Sequence, residues 1–384
     1  MHEVYIGGES AVTSLGFTLD EQVQNLKNDI TGVKKVTDRK LAPEDFYASL
    51  VDDFRAEELF SKIGDPTQYT RFEKLCILSA DIALRSNPKI KADSGRTLFI
   101  LSTTKGNIDL LEAGKKHLFE PERVYLWRSA EVIARFFGNK NTPVVISNAC
   151  ISGVLAVING YDMLSSGDYE NAVVVGGDLA SEFIVSGFQS FKSLSFGPCK
   201  PFDANRDGLN LGEGAGTIIL TNNKENLPAG DPIKVLGGGS ANDANHISGP
   251  SRTGEGLFFA VTKAMQQAAI EASQVDFVSA HGTATPFNDE MEAKAFALAG
   301  LSEVPINSLK GYFGHTLGAA GIIESVFAIQ GMKQGVIFNT LGYSEYGVPD
   351  QVVINDKLTQ KEQKFIIKTA SGFGGCNAAV VYAK

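Results

Sequence analysis

Cysteine is scarce in this chain: Cys76, Cys150, Cys199 and Cys376 are the only four in 384 residues, and they form no CxxC pair. That spacing excludes a disulfide framework and a zinc site built on paired cysteines, while a single catalytic cysteine stays open. Long apolar runs are also missing, and none approaches the ~18 residues a membrane span needs. The N-terminus, MHEVYIGGESAVTSLG, has no basic region followed by a hydrophobic block, so no secretory signal and no membrane anchorage are expected, and a cytoplasmic protein is. Basic residues number 35 against 44 acidic ones, a formal net charge of −9. Such a balance argues against nucleic acid as a partner, which needs a dense basic surface, and leaves only a local patch for an acidic partner. Low-complexity tracts and repeats of 20–50 residues are absent, which removes solenoids and propellers.

What is present is ordinary globular composition with extra glycine: 43% hydrophobic, 21% charged, and 40 glycines. At about 150 residues per domain the length allows two or three domains, or one large double unit. Short β-branched runs alternate with longer helical stretches. TLFILSTTKGN (97–107), PVVISNAC (143–150), NAVVVGGDLA (171–180) and GTIILTN (216–222) read as buried strands. So do 234–242, 276–284, 304–310, 336–342, 364–375 and 378–384, because apolar runs of this length ending in glycine suit sheets covered on both faces. Amphipathic segments at 254–273 and 318–335 lie between them, which gives an α/β layered protein. The polar stretch 221–232 divides the chain into halves, 1–225 and 226–384, and residues of about 30–95 read as an insertion of helices and loops in the first.

Cys150 ends a strand run and precedes an apolar helical one, a strand-to-helix turn that exposes a nucleophile near the positive end of a helix and lowers a thiol pKa. Taken alone it is as readily a small buried hydrophobe. His281 and His315 both follow strands in glycine-rich loops of the second half, a placement that fits a cleft fed by a nucleophile from the first. Lys310 shares the His315 loop and is placed to hold an anion or tune its neighbour's proton. Phe373 stands in SGFGGCN, where glycines permit close backbone approach and an oxyanion hole. GEGAG (212–216) and GGG (237–239) lack the setting of phosphate loops and are assigned to tight packing.

Taken in order, NACISG, KPFDANRDGLNLGEGAG, HGTATPFNDEME, KGYFGHTLGAAG and GFGGCN resemble the segments of the β-ketoacyl-[acyl carrier protein] synthases, the decarboxylating condensing enzymes of fatty acid and polyketide assembly. The resemblance implies a thiolase-like α/β fold of five layers, α-β-α-β-α, with internal duplication. It implies Cys150 as acyl acceptor, and His281 and His315 as the pair that binds the malonyl thioester and its enolate. Lys310 and Glu324 match the supporting pair, and the N–H groups of Cys150 and Phe373 the oxyanion hole, with the Phe373 ring as a gate. Thr283 and Thr285 match threonines that bind the pantetheine arm. Arg71, Lys74, Lys200 and Arg206 lie where the family docks its acidic carrier, the implied partner. No metal or organic cofactor is needed, and a homodimer, or alternatively a heterodimer, is implied. Departures are STTKGN (102–107), the bulky GYF before Gly314, a short stretch 195–200, and Cys376 where threonine is common. Alternatives within the fold are a non-elongating acyltransferase and a partner subunit of a heterodimeric synthase; outside it, a cysteine hydrolase leaves the second histidine and the lysine unexplained.

Overall fold

The computed structural model describes residues 1–246 and 249–384. In the first half, β1 (Val4–Val12) is followed by α1 (Arg71–Ser86), β2 (Thr97–Ser102), α2 (Leu126–Phe136), β3 (Val144–Ile146), α3 (Ser152–Ser165), β4 (Asn171–Asp178) and β5 (Gly214–Thr221). The second half repeats the series with β6 (Lys234–Asn242), α4 (Glu255–Ala268), β7 (Phe277–Ser279), α5 (Pro286–Leu298), β8 (Pro305–Asn307), α6 (Ala320–Gln334), β9 (Phe365–Gly372) and β10 (Cys376–Ala383). Strands run β3-β2-β4-β5-β1 in one half and β8-β7-β9-β10-β6 in the other. In both, the first two pairings are parallel and the last two antiparallel. This is the internal duplication, written in topology. β1 and β6 join the two sheets through the pairs Val4↔Val235 and Tyr5↔Lys234, and Val353–Ile354 adds an edge beside β8.

Helices α3 and α6 pack on each other and on strands of both halves, whereas α1 and α2 cover the first sheet and α4 covers the second with α5 beside it. That gives five layers with α3 and α6 in the middle. Almost every residue of α6 from Ala320 to Met332 is buried, so the helix has no polar face to turn outward. Two glycines make the contact possible. A Cβ on Gly153 would lie 2.8 Å from the Ile322 nitrogen, and one on Gly321 would lie 2.5 Å from the Val154 nitrogen.

Several boundaries differ from expectation. Residues 336–342 pair only over Val336–Ile337, against Thr359–Gln360, and β1 was not foreseen because Gly7, Gly8, Glu9 and Ser10 interrupt its apolar run. The stretch 30–95 is not one insertion of helices and loops. Val33–Val36 and Phe46–Ser49 form a small sheet with Leu211–Gly212, while α1, from Arg71, is the covering helix of the first sheet, equivalent to α4.

Candidate active site

Three loops converge where the two sheets end against the central helices. Residues 147–149 lead from β3 to Cys150, and Ala149 adopts φ +44°, a left-handed conformation that an alanine takes only under tertiary constraint. Ser152 braces this turn: its Oγ donates to the Ala149 carbonyl at 2.7 Å and accepts the Asn148 N–H at 2.8 Å. α3 starts directly after, so Cys150 stands at its N-terminal end. Burial pushes the Cys150 thiol up to about 12 even though the Lys310 charge pulls it down. The expected lowered thiol pKa is therefore reversed at rest, because desolvation outweighs the helix end and the nearby cation.

His281 follows β7 by two residues. Its loop is held by the first turns of α5: Glu292 accepts the N–H groups of His281 and Gly282, at 2.7 and 2.6 Å, and Asp289 accepts those of Thr283 and Phe202. Burial raises these carboxyls to about 6 for Asp289 and about 7 for Glu292. His315 is clamped by the segment Asn210–Gly212: its N–H donates to Asn210 O at 2.7 Å, and its carbonyl accepts the Gly212 N–H at 2.9 Å. The segment read only as tight packing thus also positions a histidine.

The His315 Nε2 lies 3.0 Å from Cys150 Sγ, and the two imidazoles meet edge to face with centroids 5.0 Å apart. Tautomers follow from the far side of each ring. Leu317 N–H donates to His315 Nδ1 at 3.2 Å, and the Lys310 ammonium lies 3.3 Å from His281 Nδ1. Both Nδ1 atoms are acceptors, so in each neutral ring the proton sits on Nε2. Burial first, then Lys310 and other neighbouring charges, hold both histidines well below 6.5 and hence neutral.

Cys150, His281 and His315 bring their donor atoms within 4.8 Å of one another and are residue types that bind zinc. The hydrogen bonds oppose that use. A metal on Nε2 needs the proton on Nδ1, where a backbone N–H and an ammonium already point, and the surrounding lysines add repulsion.

Lys310 is fully buried. Its Nζ donates to the His281 carbonyl and lies 2.6 Å from Glu324 Oε1. The other Glu324 oxygen lies 2.6 Å from the ammonium of Lys368, also fully buried, which sequence reasoning missed. The available signal was a lysine inside the apolar run KFIIKTA of a strand covered on both faces.

The cleft is lined by Cys150 and both histidines together with Thr283, Thr285 and Phe373. The two threonine hydroxyls are 2.8 Å apart. Phe373 stacks on Phe188 at 5.7 Å and meets Phe191 edge-on at 5.2 Å. A Cβ on the preceding Gly372 would lie 3.0 Å from the Cys150 nitrogen, so a side chain there would crowd the backbone of Cys150. Cys376 donates its S–H to the Phe373 carbonyl at 3.2 Å, tying off the turn from the threonine-like position.

The cations expected to dock a partner behave differently. Arg71 is committed to the buried Glu213 and to Asp53, and Lys74 to Glu57. Arg206, its side chain 5% exposed, donates to the carbonyls of Asp203, Gly347 and Pro286 and to Glu290. These three spend their charge on neighbouring carboxylates and carbonyls and are half-buried, whereas Lys200 is exposed.

Comparison with known proteins agrees with this geometry. Residues 1–226 match the β-ketoacyl synthase N-terminal domain family, and residues 234–344 its C-terminal domain. The 3-oxoacyl-[acyl-carrier-protein] synthase 2 of Vibrio harveyi is 30% identical over 88% of each chain. The mitochondrial 3-oxoacyl-[acyl-carrier-protein] synthase of Arabidopsis thaliana is 29% identical over 99% of this chain and 93% of that protein. Among solved structures, a β-ketoacyl synthase from Burkholderia phymatum superposes with a TM-score of 0.90 at 25% identity over the whole of both chains. The ishigamide ketosynthase/chain length factor gives 0.88 at 25%, covering this chain completely and 99% of its own. With both domain families matched along one chain and a cysteine and two histidines meeting where the halves join, this protein belongs to the β-ketoacyl synthase family of condensing acyltransferases.

Proposed function

We propose that the chain condenses an acyl group held on Cys150 with a malonyl group carried by an acyl carrier protein, releasing carbon dioxide and a 3-oxoacyl carrier. The observation that carries this reading is the pair of Nε2–H donors, both neutral, beside a buried thiol. In the first step Cys150 Sγ attacks the acyl thioester, and the thiol proton leaves with the carrier's departing sulfur. His315 Nε2–H, 3.0 Å from Sγ, is placed to donate to the sulfur as charge develops on it. In the second step the malonyl thioester carbonyl takes the Nε2–H bonds of His281 and His315. The bond from the methylene to the carboxylate breaks, carbon dioxide departs, and the electron pair forms an enolate stabilised by the same donors. The enolate carbon attacks the acyl carbonyl, whose oxygen is received by the N–H groups of Cys150 and Phe373. The Cys150 sulfur leaves as the thiolate and takes one proton from solvent to restore the thiol. Thr283 and Thr285 hold the pantetheine arm, Lys310 and Glu324 fix His281, and the Phe373 ring gates the acyl path between Phe188 and Phe191.

The carrier is acidic, and Lys200 is the one of the four expected cations left free to meet it. No described helix is long and apolar enough to cross a membrane. A second copy of this chain is proposed against β3, one of the two open ends of the sheet, whose three residues are only half-buried. A second reading, a non-condensing acyltransferase, lacks a use for the second histidine. Radiolabelled malonyl carrier separates the two: carbon dioxide release coupled to 3-oxoacyl product supports condensation, and thioester hydrolysis without carbon–carbon bond formation refutes it. Cys150→Ala is expected to abolish the acyl adduct seen by intact mass; a surviving adduct would remove Cys150 as nucleophile.

A further inference from the structure

Lys368 has no counterpart in the cysteine–histidine–histidine set or in the supporting pair expected beside it. It lies on β9 opposite Ser279 of β7 and is completely buried. Its ammonium donates to the carbonyls of Ser279 and Ala280, at 3.2 and 2.9 Å, and contacts Glu324 Oε2 at 2.6 Å. Lys310 takes the next carbonyl, that of His281, and the other Glu324 oxygen. Two ammoniums thus cap three consecutive carbonyls at the end of β7 and share one carboxylate.

Lys310 and Glu324 already pair with each other. Lys368 adds a further buried ammonium to that pair, which burial disfavours and the carboxylates of Glu324 and Glu292 favour. Keeping a buried ion costs several kcal/mol of desolvation, and an apolar side chain of similar volume commonly serves stability as well or better. A group that stability disfavours, placed directly behind the reacting residues, points to the chemistry instead.

We propose that Lys368 is a positioning residue of the condensing site: it clamps the strand end that carries His281 and sets a second buried cation behind both imidazoles. The consequence is electrostatic. A positive charge disfavours protonation of either ring, keeping both as Nε2–H donors, and it favours the negative enolate that forms against them. Among the described residues, the titratable groups around Cys150, the two rings and their lysines are these. Cys150 comes from the β3–α3 turn, Asp178 from the end of β4, and Cys199 from the segment before Lys200. Asp289 and Glu292 come from α5, Lys310 and Glu324 from the His315 loop and α6, and Lys368 and Cys376 from β9 and β10. Asp178 accepts five donors, from Thr103, Thr104, Lys105 and Gly318, and Glu292 and Asp289 are occupied by backbone N–H groups. Lys310 is hydrogen-bonded to His281 itself, which leaves Lys368 as the cation whose removal changes charge without breaking a bond to an imidazole.

This inference rests on His281 and His315 acting in decarboxylation, and the test keeps the two apart. Lys368→Met and Lys368→Gln are compared with the unaltered chain in carbon dioxide release from malonyl carrier between pH 5 and 8, and in histidine NMR titration without substrate. The expected result is an acid limb of kcat and histidine midpoints both displaced upward by about one pH unit. At pH values below both midpoints kcat falls about tenfold, with KM for the carrier changed less than twofold. A loss equal at every pH, with histidine midpoints unmoved, would make Lys368 structural and overturn the proposal, as would failure of both variants to fold. An unaltered chain that releases no carbon dioxide would instead sink the condensing reading, and the NMR titration would still judge Lys368.

Discussion

The two halves share a strand order and a helix order, yet they equip the same topological position in opposite ways. In the first half, three residues separate β3 from Cys150 and α3 follows at once; the turn holds a strained alanine, a serine brace and a buried neutral thiol. In the second half, the link from β8 to α6 spans residues 308–319 and carries Lys310 and His315, with Glu324 one turn into the helix. The short turn gives a single thiol a fixed direction. The longer one has room for a charged cluster beside the histidines. The halves share the frame, and loop length separates the half that holds the thiol from the half that holds the charge.

The contrast can be broken first at the thiol. Burial holds Cys150 at about 12, so its thiolate fraction, and with it iodoacetamide alkylation, should rise about tenfold per pH unit, roughly a hundredfold from pH 7 to 9. The sign is that of an acid titrated below its pKa. A flat profile would show that the nucleophile is already ionised and that the first half is as charged as the second. The central helices offer the next test. Gly153→Val or Gly321→Val pushes a side chain into facing backbone and should destabilise the fold by about 1–3 kcal/mol in denaturant unfolding. Gly187→Ala, in the peripheral helix Glu182–Ser190, meets nothing within 4 Å and should be neutral or stabilising. Equal losses at all three positions would deny the central pair its special closeness. The smallest effect is expected at the surface. Lys200→Glu should weaken carrier binding a few-fold, more at low salt than at high. A larger change in affinity from Arg206→Ala in a fully folded protein would return that arginine to the docking surface.

The cysteine and two histidines of the candidate site were legible because each stands where an apolar run meets glycine or a small residue, a pattern that survives in one dimension. NAC, AHG and FGH all mark strand or turn ends, and the structure brings their Cys150, His281 and His315 together. Lys368 was missed although its run reads as a strand covered on both faces, since nothing in one dimension places Glu324 and the carbonyls of Ser279 and Ala280 beside it. The same blindness acted in reverse on Arg71 and Arg206, whose partners Glu213 and Glu290 lie 142 and 84 positions away. β1 escaped because its polar positions, Glu9 and Ser10, are satisfied by Lys333 and Ser79, contacts that only the tertiary fold provides. Periodicity carries the layers, while long-range polar pairing is invisible to it.

In the proposed division of labour, the first half takes the acyl group and the second breaks the carboxylate off the extender. His281→Ala tests it most directly, because His281 belongs to the charged half while His315 also touches the sulfur. Intact mass and labelled carbon dioxide release are measured on the same preparation. The acyl-Cys150 adduct is expected to form at close to the unaltered rate, with carbon dioxide release down by about 10²–10³-fold. Equal loss of both would contradict it.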